Sequence, residues 1–241
     1  MRSVWTLTRK ELRQIFLSPI AYYFLIVFVF FVTFMFFRTF FLYGVASLSN
    51  FFSWMPLAFA VVIPAMTMRM WAEERKQGTI EFLLTAPLHT WHIVTAKFLA
   101  ALALVALCLL LTLMVPYTVS QFGDNLDPGP VWGGYVGALL MGSTCIAIGM
   151  FCSSFTQDQI VSFLVGASVL LCLVLLGERL IQDEFEPGSA LGTFARVISP
   201  TTHFESIGRG VIDLRDVYYF LSVSVLFLYL NARVIDLRRW R

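Results

Sequence analysis

The chain has 241 residues, 59% of them hydrophobic and only 13% charged, with 24 phenylalanines and a mean hydropathy of +0.79. A soluble domain is about half apolar and about a quarter charged, so these values exclude one or two soluble domains and describe a polytopic membrane protein. The net charge of +2 carries no nucleic-acid signature; where the charges sit matters more than their sum. Cys108, Cys145, Cys152 and Cys172 all fall in apolar segments and read as buried small hydrophobes, without a disulfide framework or metal spacing. The first apolar run is span-length and lacks a small-residue cleavage site, so no cleavable signal is expected.

In chain order, residues 1–17 come first. Trp5, Leu12, Ile15 and Phe16 recur at helical spacing against Arg2, Arg9, Lys10 and Arg13, which predicts a basic amphipathic helix lying in the membrane interface. Span one is expected over 18–37, within the uncharged run from Gln14 to Phe37, with Tyr22 and Tyr23 suited to the interface and Arg38 closing it. A short outer loop, 39–50, precedes span two at 52–70. Pro56 and Pro64 fall inside that span, and each can kink it. Span three is expected over 92–119, with Lys97 near its inner end and Pro116 near its outer end. His89 and His92 share a helix face, but with no carboxylate or cysteine partner nearby they read as interfacial polar residues rather than metal ligands. Residues 121–130 form an outer loop without a base. Span four, 131–152, carries Gly133, Gly137, Gly142 and Gly149, which we read as intrachain close packing before dimerisation. A tight polar inner turn containing Thr156, Gln157 and Asp158 leads to span five, 160–177. Residues 178–216 mix acids and bases with Gly and Pro and predict an ordered outer segment with short amphipathic helices on the membrane. Span six, 217–234, is slightly short, so Asp216 and Arg233 are expected to snorkel to the two interfaces.

Six spans put both termini on one side. The amino end, the segment between spans two and three with Lys97, and the tail hold twelve Lys and Arg, against five in the outer loops. The positive-inside rule therefore predicts cytoplasmic termini.

The largest polar interruption in the first two thirds of the chain is Arg69 to Leu88, with six charges between apolar segments. Gly78 breaks the helix that leaves the membrane, and Thr79 can cap a new one. Residues 79–86 then make about two turns, with Ile80, Leu83 and Leu84 on one face, until Pro87 ends them. A short amphipathic helix rimmed with charge reads as a docking surface. Its charges Glu73, Glu74, Arg75, Lys76 and Glu81 are read as complementary to a partner groove, in preference to solvated helix ends that only enforce topology.

The ordered set Glu73, Glu74, Arg75, Gly78, Thr79, Ile80, Glu81, Leu83, Leu84 and Pro87 resembles the segment after the second span in type-2 ABC exporter permeases. The chain's start, length and span count are also similar to that family over nearly all 241 residues, and its compact form is closest to the gliding-motility type. The resemblance implies an all-α fold of six transmembrane helices in one domain, with an N-terminal interfacial helix and a cytoplasmic coupling helix that sits in a groove of a separate ABC ATPase subunit. It also implies a second, smaller ATPase contact at Thr156, Gln157 and Asp158. The further implications are a second copy of the chain or a similar permease as partner, and a place in the bacterial inner membrane among its lipids.

The three lysines, Lys10, Lys76 and Lys97, do not end a Gly-rich loop, so the chain has no phosphate-binding motif. No cofactor is expected on this chain; ATP and Mg belong to the partner ATPase. No H-E-x-x-H pair or G-x-S-x-G elbow occurs, and no expected span carries a central ionisable residue, which argues against an ion-coupled transporter. Uncharged span faces bearing Phe24, Phe28, Phe30, Phe31, Phe34, Phe36 and Phe37 suit a lipid-like cargo and equally suit ordinary lipid contact. The reading is thus a permease subunit that couples ATP hydrolysis by another chain to export. Two rivals stand beside it. One is a force-transmitting or assembly component of a gliding or secretion complex, with a periplasmic partner at the last outer loop. The other is an intramembrane enzyme, disfavoured because no catalytic constellation is visible.

Overall fold

The computed structural model describes residues 2–43, 48–78, 89–122, 128–178, 190–210 and 213–239. Among them there is helix and no strand, as a chain that must satisfy its backbone polar groups within lipid requires. In order the helices are α1 (Arg2–Leu17), α2 (Pro19–Tyr43), α3 (Ser49–Ser53), α4 (Met55–Thr67), α5 (Arg69–Lys76), α6 (Thr90–Thr112), α7 (Met114–Phe122), α8 (Pro128–Ser153), α9 (Gln159–Leu175), α10 (Ala190–Ile198), α11 (Pro200–Gly208) and α12 (Leu214–Arg239). Five stretches among the described residues are long and apolar enough to cross a membrane: Pro19–Phe40, Ser49–Lys76, Thr90–Gln121, Pro128–Ser153 and Leu214–Leu237. Gln159–Leu175 is a shorter apolar helix.

Prolines account for two of the breaks within these stretches. A proline lacks an N–H and clashes with the carbonyl four residues back. Pro116 stands four residues after Thr112, where α6 ends. Pro56 lies in the first turn of α4, where its missing N–H costs nothing, and the helix break falls just before it. Pro64 stays inside α4, and its own carbonyl still accepts from the Met68 N–H at 2.8 Å.

α8 is the axis of the bundle, with 78% of its apolar window buried, whereas α2 at 28% lies at the edge. Glycines let neighbours close on α8. A side chain at Gly133 would meet the Ile207 carbonyl at 2.7 Å, one at Gly137 would meet Ile207 Cγ2 at 3.0 Å, and one at Gly142 would meet Val105 at 3.0 Å. The glycine pattern thus serves packing within the chain, as expected. Hydroxyls join α8 to α12: Thr144 Oγ1 donates to the Phe220 carbonyl at 3.1 Å, and Ser143 and Thr144 both lie within hydrogen-bonding distance of Ser224 Oγ.

Several sequence expectations change. Span one does not stop before Arg38; α2 continues to Tyr43, because one long cation can lay its stem along apolar surface without ending a helix. Trp5 shares a helical face with Leu12 and Phe16, seven and eleven residues on, but near the start of α1 it is 69% exposed, while Phe16 packs against the core. Cys172 is exposed, unlike the buried Cys108, Cys145 and Cys152. α12 is not short, since it runs from Leu214 through Arg233 to Arg239. Asp216 does not snorkel; it is buried, with Oδ1 2.7 Å from His203 Nδ1. The phenylalanines of α2 divide, with Phe28 and Phe36 buried and Phe30 and Phe34 facing outward.

α11 is docked into the bundle rather than laid along its surface, and Phe204 and Ile207 are buried against α8. Ser199 is its cap: the hydroxyl accepts from Thr201 N and donates to the Leu173 carbonyl at 2.9 Å. Thr201 Oγ1 adds a bond to the Val174 carbonyl at 3.2 Å. The Ser199 hydroxyl thus serves the Leu173 carbonyl near the end of α9, and the Thr201 hydroxyl adds a second donor to the Val174 carbonyl, which also accepts from the Gly177 N–H at 3.0 Å.

Candidate functional site

The helix α5 leads from the second membrane-crossing stretch to the predicted docking segment. It begins at a break after Thr67, next to the end of α8. Ser153, the last residue of α8, stitches the two together. Its hydroxyl donates to the Met68 carbonyl at 3.0 Å and accepts from the Trp71 and Ala72 N–H groups at 3.3 and 3.4 Å. One side chain therefore satisfies backbone groups on both sides of the break.

Four of the charges of α5, Arg69, Glu73, Glu74 and Arg75, bond within the chain. Arg69 makes a two-pronged contact with Glu73, at 2.8 and 3.1 Å, and reaches Ser18 Oγ at 3.3 Å. Glu73 also accepts from Gln77. Arg75 Nη1 donates to the carbonyls of Ser154 and Thr156, at 3.1 and 3.0 Å. It so ties α5 to the polar turn between α8 and α9. Asp158 in that turn caps α9, accepting from Ile160 N at 3.0 Å. Thr156 Oγ1 donates to the Asp158 carbonyl.

Glu74 enters a buried charge cluster that the sequence reading missed. Lys97 on α6, with a side chain only 3% exposed, lies 2.6 Å from Glu74 and 3.2 Å from Glu11 of α1. Its ammonium also sits 5.2 Å from the centre of the Trp71 ring, within cation–π range. Three helices far apart in sequence thus converge on one cation. The signal available beforehand was a lone lysine in an apolar run; nothing in its spacing named partners 86 and 23 residues away.

α5 ends as the sequence predicts. Gly78 adopts a positive φ of 70°, and its N–H bonds to the Arg75 carbonyl at 3.2 Å; the left-handed turn that closes a helix favours glycine. Of the predicted docking residues, Glu73, Glu74, Arg75 and Gly78 are thereby brought together with Thr156 and Asp158 at one end of the bundle. Thr79, Ile80, Glu81, Leu83, Leu84 and Pro87 lie outside the described residues. His89 and His92 pack ring edge to ring face, with centroids 5.7 Å apart. Among the described residues, no group of three or more His, Cys, Asp or Glu is placed to hold a metal.

A helical bundle in which five of the described stretches are long and apolar enough to cross a membrane, around a buried central helix, is that of a multi-pass membrane protein. The family model of the ABC-2 family transporter protein matches residues 45–232. The chain belongs to that family and is the membrane-spanning permease part of an ABC transporter. Membrane subunits of this family are generally not catalytic themselves, and the family as a whole works with an ABC ATPase. No curated protein matches the chain.

Proposed function

We propose that the chain is the permease subunit of an ATP-driven exporter of the bacterial inner membrane. In this reading six spans cross the membrane, with Gln159–Leu175 as the fifth, and both termini are cytoplasmic. Residues 79–87 form the coupling helix, Ile80, Leu83 and Leu84 enter the ATPase groove, and the Thr156–Asp158 turn makes a smaller contact beside it. ATP is hydrolysed on the partner, and two permease copies share the complex, meeting where α2 and its neighbours leave apolar surface at the bundle edge.

The observation that carries this reading is the anchoring of α5. A docking helix transmits motion only if its root is fixed to the parts that must move. Here Ser153, Arg75 and Glu74 fix that root to α8, to the inner turn, and to α6 and α1. Glu74 and Arg75 are therefore positioning residues, and the contact with the ATPase falls to the segment beyond Gly78.

The experiment reverses the charge of Glu81 and places a carboxylate at Leu83 in the permease co-expressed with its ATPase. Glu81→Lys should reduce co-purification of the ATPase, and Leu83→Asp should reduce it further, because a buried unpaired charge costs more than a lost complementary one. Normal elution in detergent and an unaffected Arg209→Glu variant serve as controls. Full ATPase association and stimulation in both inner variants would leave the segment as a topology-setting loop.

The six-span topology gives a separate prediction. In a cysteine-free background, cysteines at Gln77 and Glu178, both exposed, should react with a membrane-impermeant thiol reagent from opposite sides. Labelling of both from outside would exclude this arrangement.

A further inference from the structure

We propose that His203 and Asp216 form a proton-operated clasp that holds the end of α10 against the bundle. His203 belongs to α11, which packs near the start of α8, against Gly133 and Gly137, so the clasp lies at the opposite end of the bundle from α5. The last four carbonyls of a helix need donors from beyond its last turn, and those of α10 all have one. The Ala195 carbonyl accepts from the Ser199 N–H at 3.0 Å, and the Arg196 carbonyl from the Thr202 hydroxyl at 2.7 Å. His203 Nε2 lies 3.2 Å from the Val197 carbonyl, and the Tyr219 hydroxyl donates to the Ile198 carbonyl.

Of these donors the imidazole is the type that changes its protonation near neutral pH. Its other nitrogen, Nδ1, stands 2.7 Å from Asp216 Oδ1 on α12, and the ring stacks on Tyr219 with centroids 4.0 Å apart. A carbonyl and a carboxylate are both acceptors, so the ring bonds to both only when the His203–Asp216 pair holds two protons between them. With one proton the pair keeps a single bond. Asp216 is buried and cannot exchange its partner for water, whereas the Val197 contact is exposed, so the Val197 bond is the one released. Raising the pH therefore frees the end of α10 while α11 stays joined to α12.

Among the described residues, the surroundings leave the ring to Asp216. Tyr219 faces it from α12, with the Cys145 thiol of α8 close to Tyr219. α3 and α9, which also pack on α11, contain no acid, lysine, arginine or histidine. Arg196 and Arg215 are exposed, Asp213 accepts from the Arg215 N–H, and Glu205 and Arg209 of α11 approach each other at 3.9 Å. In the topology proposed above this end faces away from the cytoplasm, so the clasp responds to protons outside. That sidedness rests on the proposed topology; the clasp does not.

The test is hydrogen–deuterium exchange across residues 190–198 of the full chain in non-ionic detergent, at the two ends of the pH 5–8 range in which histidine titrates. Rates are compared between chains at the same pH, so that the intrinsic exchange rate cancels. In Asp216→Asn the amide can donate to Nδ1 and leave Nε2–H for Val197, so a neutral ring closes the clasp throughout. Wild type should exchange like Asp216→Asn at the acid end and about fivefold faster at the alkaline end, the loss of one hydrogen bond of about 1 kcal/mol. His203→Gln, which has no titrating ring, should keep the same ratio to Asp216→Asn at both ends, and Arg209→Gln should follow wild type. Should Asp216→Asn fail to fold, the ratio of wild type to His203→Gln should itself change about fivefold between the two ends. A wild-type ratio that stays constant would overturn the proposal. So would an equal change in His203→Gln, which would assign the pH dependence to another group.

Discussion

Replacing Lys97 with methionine should destabilise the protein by about 3–5 kcal/mol, the usual cost of removing one partner from a buried ion pair. The magnitude follows from what is left behind. Methionine fills similar volume, but Glu11 and Glu74 would then face each other beneath α6 without a cation, and both are mostly buried. The Trp71 ring would also lose the charge over its face. For a chain of this size the thermal midpoint in detergent should fall by roughly 10 °C. The decisive comparison is Lys97→Met combined with Glu11→Gln and Glu74→Gln, which removes the stranded charges and should recover most of the loss, because a buried ion pair is weakly stabilising against neutral replacement. Glu74→Gln alone should cost more than Glu11→Gln alone, in line with the 2.6 and 3.2 Å separations. A Lys97→Met variant that melts within about 2 °C of wild type would mean that the cluster is not a structural lock.

The cluster also shows where sequence reasoning stops in a membrane bundle. The apolar runs, the prolines and the glycines of α8 were legible because each acts through local geometry: length against bilayer thickness, a missing N–H, a missing Cβ. Gly78 was legible for the same reason, since a helix end favours a left-handed residue there. Partner choice was not legible. In a soluble helix the polar face marks the solvent side and leaves the apolar face for the core, but α2, α6 and α8 are apolar all round, so periodicity cannot say which side meets which helix. Lys97 therefore looked like an interfacial lysine, and Ser153 like part of a polar turn. Trp5 was grouped with Leu12 and Phe16 by helical spacing, which holds in α1, but spacing cannot tell that its end of the helix is left 69% exposed. Nor does sequence give a view of the carbonyls 79 and 81 residues away that Arg75 engages. The residues most tied to docking by pattern, Thr79 to Pro87, stand on that pattern alone.

The close approach that makes the Ser153 stitch possible depends on Gly149, and Gly149→Ala should cost about 1–3 kcal/mol by overpacking. The two residues are four apart on α8 and so share a face. A methyl group at Gly149 would overlap the Thr67 hydroxyl and lie 3.2 Å from Thr67 Cβ. Thr67 cannot give way easily: it is fully buried, β-branched, and bonded through Oγ1 to the Ile63 carbonyl at 3.0 Å. The strain would be relieved by pushing the end of α4 away from α8, and that movement would lengthen the bonds from Ser153 to Met68, Trp71 and Ala72 one turn further on. Thr67→Ala removes the overlapping hydroxyl, so in a double-mutant cycle the combined variant should be less damaged than the sum of the two single changes, by about 1 kcal/mol or more. With the ATPase present, Gly149→Ala should lower stimulation at temperatures where the permease is still folded, and Thr67→Ala should restore part of it. Additive stability effects in the cycle would show that the two helices do not bear on each other here, and the spacing of α5 from α8 would then have to be set by Ser153 and Arg75 alone.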